Sequence, residues 1–113
     1  MEEKNITAEN IAGIVSIETA LPGKWETDNG SLFLIFEPIA ETGGQGKVEA
    51  ISNISTGQFK YELFIKDGNP YLNVIDEKKD EIHEYEIMEI DTKKNILRLK
   101  RESKPELILH RIR

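Results

Sequence analysis

Phe59-Lys60-Tyr61-Glu62-Leu63-Phe64-Ile65-Lys66, followed at once by Asp67-Gly68-Asn69-Pro70, decides the fold of this chain. Apolar and charged residues alternate, which puts Phe59, Tyr61, Leu63 and Ile65 on the inward face of a β-strand and Lys60, Glu62 and Lys66 on the outward face. The residues after it favour a reversal, so the strand is one arm of a hairpin.

The same punctuation recurs on both sides. Breakers stand at Asp28-Asn29-Gly30-Ser31, Glu41-Thr42-Gly43-Gly44-Gln45-Gly46, Ser55-Thr56-Gly57, Glu77-Lys78-Lys79-Asp80, Asp91-Thr92-Lys93-Lys94-Asn95 and Ser103-Lys104-Pro105. Between them lie about eight short runs, near 24–28, 32–37, 47–54, 58–66, 71–76, 81–90, 96–102 and 106–113, at the spacing of an all-β sandwich or barrel. Connections this short force antiparallel neighbours, because a parallel crossover needs about a dozen residues or more. In 81–90 the apolar phase slips: Tyr85 and Ile87 share one face, Met88 and Ile90 the other, which predicts a β-bulge.

An open meander would leave Leu107-Ile108-Leu109-His110-Arg111-Ile112 as an apolar edge, so the last strand is expected to close onto the first. The expected fold is all-β: an antiparallel up-and-down meander of about eight strands closing into a small barrel. Residues 5–21 read as one N-terminal helix, with Thr7 as N-cap, Glu9 in the first turn, and Ile11, Ile14, Val15 and Leu21 on one face. Ile17 falls off that stripe, and Pro22-Gly23 stops the helix. A helix this short is not stable alone and is expected to lie against the sheet or across a barrel mouth. The chain reads as a single domain over 1–113, with a helix at 5–21 and a barrel at 23–113.

With 38% hydrophobic and 32% charged residues the composition is that of an ordinary soluble protein, which argues against wholesale disorder. No apolar run reaches membrane-spanning length. The absence of cysteine excludes a disulfide framework, a zinc ribbon and a thiol nucleophile. No h-region follows the polar N-terminus, which leaves two expectations: a cytoplasmic protein, or the mature part of an exported one.

Gly23 and Trp25 at the head of the first strand, a helix before them, a continuous meander and Arg111 in the last strand resemble the lipocalin-like proteins of the calycin group, especially compact bacterial lipocalin-like domains. The resemblance spans about 11–113 in layout and rests on Gly23, Trp25 and Arg111. It implies that Trp25 packs at the closed end of the barrel against Arg111, a cation–π contact that fixes closure. The chain departs from the family in its short length, its lack of disulfides and its lack of a C-terminal helix, which implies a shallow cavity.

Barrels of about eight strands are filled by side chains or hold one small ligand. The candidate lining of a ligand site is Leu34, Phe36, Phe59, Tyr61, Leu63 and Tyr85, apolar with phenolic anchors. A filled core made of the same residues is the competing reading. The function expected is non-enzymatic: a barrel binding a small apolar or amphipathic molecule, or a compact protein-interaction module. The second would show a charged or apolar patch, or an unclosed edge able to accept a partner strand.

Other constellations weigh less. Gly43-Gly44-Gln45-Gly46 lacks the ending and the helix of a phosphate loop and reads as a hairpin connection, or as a lid if the barrel has a portal. His83 stands among Asp80, Glu81, Glu84 and Glu86, but without a second His or Cys at ligand spacing it reads as part of a solvent-facing strand rather than a metal site. His110 is expected to point outward or to make one hydrogen bond. Neither has a nucleophile in view, and carboxylate abundance alone does not make a glycosidase pair. No cofactor is implied.

The net charge of −6 is unevenly spread. From 93 to 113 there are eight Lys or Arg against two acids, while 21–92 carries six basic and fifteen acidic residues. Lys93, Lys94, Arg98, Lys100, Arg101 and Lys104 lack interleaved aromatics, which argues against nucleic acid. Pairing with the acidic strand of Glu81, Glu84, Glu86 and Glu89 is the simpler expectation.

Overall fold

A computed structural model describes residues 8–41 and 44–112, with backbone alone for 8–12. The cap assigned to Thr7, the side chains of Glu9 and Ile11, and Thr42-Gly43 of the glycine-rich loop lie outside the described residues. The described residues form one helix, α1 (Ala8–Ala20), and eight strands: β1 (Gly23–Thr27), β2 (Leu32–Phe36), β3 (Gln45–Ser52), β4 (Thr56–Lys66), β5 (Asn69–Asp76), β6 (Glu81–Asp91), β7 (Ile96–Lys100) and β8 (Leu107–Ile112). Each strand pairs antiparallel with its neighbour in sequence, and β8 pairs with β1 to close a barrel in the order β1 to β8. Closure leaves the apolar β8 with a partner on both sides, β7 and β1.

Local chemistry sets the reversals. Between β4 and β5, Asp67 and Gly68 have φ of 52° and 80°, the pair of positive values that a tight two-residue hairpin turn requires. Two longer turns share one device. Asp76 Oδ1 accepts the N–H groups of Lys78 and Lys79 at 3.1 and 3.2 Å, and the turn ends at Asp80 with φ 53°. Asp91 Oδ1 accepts those of Lys93 and Lys94 at 2.8 and 3.0 Å, and that turn ends at Asn95 with φ 56°. An Asp at the strand end thus satisfies two amides before a residue that tolerates the left-handed region. The amides of Lys94 and Lys93 also hold the Asp91 carboxyl below its ordinary pKa.

The register of β6 against β7 shifts between Ile87 and Glu89, so a bulge sits where the apolar phase slips. The bulge leaves Met88 exposed and returns Ile90 to the core side, opposite Leu97. Met88 and Ile90 therefore do not share a face, contrary to the simple alternation.

Helix α1 lies at the end of the barrel where β1, β3, β5 and β7 begin, and it contacts β4 and β6. Its buried stripe differs from the expected one. Val15 is 42% exposed, whereas Ile17 is buried beside Leu21 with Ile14 packed against them. Residues 14, 17 and 21 fall at helical spacings of three and four, so the contact face is rotated towards Ile17. The helix ends at Ala20, one residue before Leu21, whose amide still donates to Ile17 O at 2.8 Å.

The core is one cluster: Ile17, Leu21, Trp25, Phe36, Val48, Tyr61, Leu63, Leu72, Ile87, Leu97, Leu99 and Leu109. Trp25 is fully buried, with its Nε1–H donating to Leu21 O at 2.9 Å. Opposite it in the closing register is Arg111, whose guanidinium carbon lies 4.7 Å from the Trp25 ring centre and whose Nη2 donates to Ala20 O. Helix end, first strand and last strand are thereby tied at one point. Gly23 has φ 134°, and a Cβ there would come within 3.2 Å of Arg111 Nη1, so a side chain would meet both strain and the guanidinium.

Candidate binding site

The inward residues proposed as pocket lining divide by height in the barrel. Phe36, Tyr61 and Leu63 lie towards the helix end and are 2%, 0% and 5% exposed, locked among Trp25, Leu72 and Leu97. Leu34, Phe59 and Tyr85 lie further from the helix, half-buried and packed on top of that core. Val74 and Leu107, which periodicity on β5 and β8 also points inward, belong to the same half-buried group. Both follow from parity alone, two residues from Leu72 and from Leu109.

The helix end is filled around Tyr61. Its ring stands edge-on to Phe36 with centroids 5.0 Å apart, and its hydroxyl donates to Glu37 O at 2.6 Å. Across the ladder is Gly46, where a Cβ would sit 2.6 Å from a ring carbon of Tyr61, so glycine there makes room for the ring. Gly46 is thus a strand residue and not part of a flexible loop. The β2–β3 connection lies at this helix end, with Ile39 packed on the core, so it is not placed to act as a lid over the opposite mouth.

Burial, with Glu18 and Glu37 nearby, pushes the Tyr61 phenol from 10.0 up to about 12. A raised acid pKa favours the protonated folded state: its stabilisation is complete below pH 10 and is lost as pH rises towards 12. The midpoint of urea unfolding should therefore fall more steeply between pH 10 and 12 in the wild type than in Tyr61→Phe. Parallel slopes in the two proteins would remove Tyr61 from that dependence.

The mouth away from the helix is irregular because β6 outruns β7. Residues 71–76 of β5 pair with 81–86 of β6, but the β6–β7 ladder begins only at Glu86 opposite Lys100. Above that point residues 81–85 have a partner on the β5 side alone. No backbone hydrogen bond among the described residues joins them to the β7–β8 turn, residues 101–106. His83 stands in this overhang opposite Val74, in phase with Tyr85 and Ile87, and so faces inward rather than to solvent. The acids around His83 in sequence concealed that parity. Its Nδ1 is buried without a hydrogen-bond partner. Among the described residues no three His, Asp or Glu converge as metal ligands would.

On the outer side of the same region lies a groove of about 580 Å³ lined by Lys66, Tyr71, Glu84, Glu86, Lys100, Arg101, Glu102 and Ser103. Lys66 bonds Glu84 at 3.1 Å and stands 4.9 Å from the centre of the Tyr71 ring, which stacks on Phe64. Phe64 and Tyr71 are therefore outer-face residues, not core. The hydrogen bond from Lys66 to Glu84 raises the Lys66 pKa.

Of the basic C-terminal residues, Arg98, Lys100 and Arg111 have side-chain partners among the described residues, whereas Lys93, Lys94, Arg101 and Lys104 have none. Arg98 bonds Glu89 at 3.2 Å and also Glu106, which holds the Glu106 carboxyl below its ordinary range. Lys100 sits opposite Glu86 but donates to the carbonyls of Arg101 and Lys104, turning the chain between β7 and β8. His110 faces outward and bonds Asp28 at 2.6 Å.

No family model matches the chain, and no match was found among curated proteins or solved structures.

Proposed function

We propose that the chain is a non-enzymatic, lipocalin-like binding barrel that takes the apolar part of a small amphipathic molecule into the mouth opposite the helix. The observation that carries this reading is the burial gradient inside the barrel. Trp25, Tyr61, Leu72, Leu97 and Leu109 are fully buried, while Leu34, Phe59, Val74, Tyr85 and Leu107 remain half-buried with apolar surface left to cover. Covering such surface is worth about 25 cal/mol per Å², so a short alkyl or aromatic group seated there would bind measurably. The filled lower half limits the depth of the site. The cation–π closure of Trp25 on Arg111 matches what the lipocalin-like resemblance implies.

Native mass spectrometry of the gently purified protein, beside its denatured mass, tests the reading together with titration of an uncharged naphthylamine dye. The expected result is a one-to-one complex whose affinity falls at least tenfold in Leu34→Lys and stays unchanged in Ile108→Lys, on the outer face of β8. Circular dichroism verifies that both variants fold. A bare monomer with dye binding indifferent to Leu34→Lys would refute a site in the mouth.

A further inference from the structure

We infer that the upper edge of β6, residues 81–85, is a docking site for an extended basic peptide, which adds as a strand where β7 stops short. The ladder puts this segment against β5 on one side only, and along a strand every second residue directs its N–H and C=O to the other side. A row of such groups is matched by one kind of occupant, another extended backbone. Open space borders the edge on its outer face: the groove of about 580 Å³ runs beside Glu84 and Glu86 and reaches Arg101, Glu102 and Ser103 of the β7–β8 turn.

Side chains around the edge state the chemistry of the occupant. Alternation gives an added strand an outer flank of Ile82, Glu84 and Glu86 and an inner flank of His83 and Tyr85. Ile82 is 63% exposed, an apolar contact without cover. Glu81, Glu84 and Glu86 make the β6 side acidic, and of the cations that also line the groove Lys66 is taken by Glu84 and Lys100 by the carbonyls of Arg101 and Lys104, which leaves Glu81 and Glu86 without an ion-pair partner among the described residues. A second copy of the same edge would bring these acids together, which disfavours self-pairing. A segment alternating Lys or Arg with Val or Ile would instead place its cations on the outer flank beside Glu84 and Glu86, with their stems over Ile82, and its aliphatic side chains on the inner flank beside His83 and Tyr85. This site borders the mouth and shares Tyr85 with it, but its affinity comes from backbone pairing and charge rather than from filling the barrel interior.

The probe is a capped octapeptide of alternating Lys and Val, beside the same peptide N-methylated at every residue, which keeps its charge but cannot donate to a ladder. Binding is followed by amide exchange and by NMR shifts of the folded protein. The expected result is saturable binding with slowed exchange confined to alternate amides within 81–85, weakened at least tenfold by N-methylation. The exposed double variant Glu81→Lys, Glu84→Lys should weaken it by a similar factor. Equal binding of both peptides, or protection elsewhere on the acidic surface, would show charge attraction without strand addition and overturn the proposal. So would exchange at 81–85 that is slow before peptide is added. Concentration dependence of that protection would identify a second copy as the occupant, and its absence another part of the same chain.

Discussion

Replacing Trp25 with alanine should cost about 3–5 kcal/mol of folding stability, measured by urea unfolding. That is a large part of the roughly 5–15 kcal/mol typical of a domain. The loss has three physical parts. A fully buried indole is deleted from the middle of the core, leaving a cavity that neighbouring strands cannot fill without breaking register. The carbonyl of Leu21 loses the indole N–H at 2.9 Å, which loosens the link between α1 and β1. The Arg111 guanidinium loses the ring it lies against at 4.7 Å, and its Nε is already buried without a partner. Arg111→Met, which keeps the apolar stem and removes the charge, should cost less. The double variant should fall short of the sum, because both substitutions remove the same contact. Strict additivity, or a loss below about 1 kcal/mol for Trp25→Ala, would mean that the closing strands are secured elsewhere.

The second large effect is expected from one methyl group. Gly46→Ala puts a Cβ 2.6 Å from a Tyr61 ring carbon, closer than such atoms sit, and 3.0 Å from Ile39, a tight contact. Tyr61 has little freedom to withdraw, since its hydroxyl is tied to Glu37 O and its ring abuts Phe36. Overpacking of this kind costs about 1–3 kcal/mol. Either the ring rotates out and breaks the hydroxyl bond, or β3 and β4 spread. Spectrophotometric titration separates these outcomes from simple tolerance. A ring forced towards water should ionise closer to 10.0 than to about 12. Unchanged stability and an unchanged titration would show that the ring has more room than its contacts indicate. Gly46→Ala combined with Tyr61→Leu should recover part of the loss, because a shorter side chain vacates the space that the ring fills.

The fold was legible wherever a residue's role followed from parity or turn chemistry. The alternation in β4 predicted the inward set Phe59, Tyr61, Leu63 and Ile65, of which the first three belong to the core and Ile65 does not, and the slip in β6 predicted the bulge. What composition obscured was the direction of His83: a histidine flanked by glutamates resembles solvent-facing sequence, yet it shares parity with Tyr85 and Ile87. The helix stripe was misread for a related reason. A short segment supports more than one apolar face, and the choice between Val15 and Ile17 is made by the barrel end beneath it. The division of the pocket candidates into a filled half and a half-open one could not be read at all. It depends on which end the helix covers and on where β7 stops against β6, and both are properties of the closed barrel. Tyr61 illustrates the limit: its periodicity marks it as inward, while its partners Glu37 and Gly46 are brought to it by two different strands.

The order of pairing carries a consequence for how the barrel assembles. Every ladder but one joins neighbours in sequence, so seven of the eight seams grow as local hairpins that need only short loops closed. The eighth, β1 on β8, joins the two ends of the meander and bears the loop-closure entropy of almost the whole chain. It is the seam at which the wall can part without dismantling a hairpin. Contacts across it, with Trp25 and Arg111 at their centre, form late on this route. Weakening them should speed opening while leaving the rate of hairpin assembly nearly unchanged. The tryptophan clasp therefore acts chiefly on the lifetime of the closed barrel.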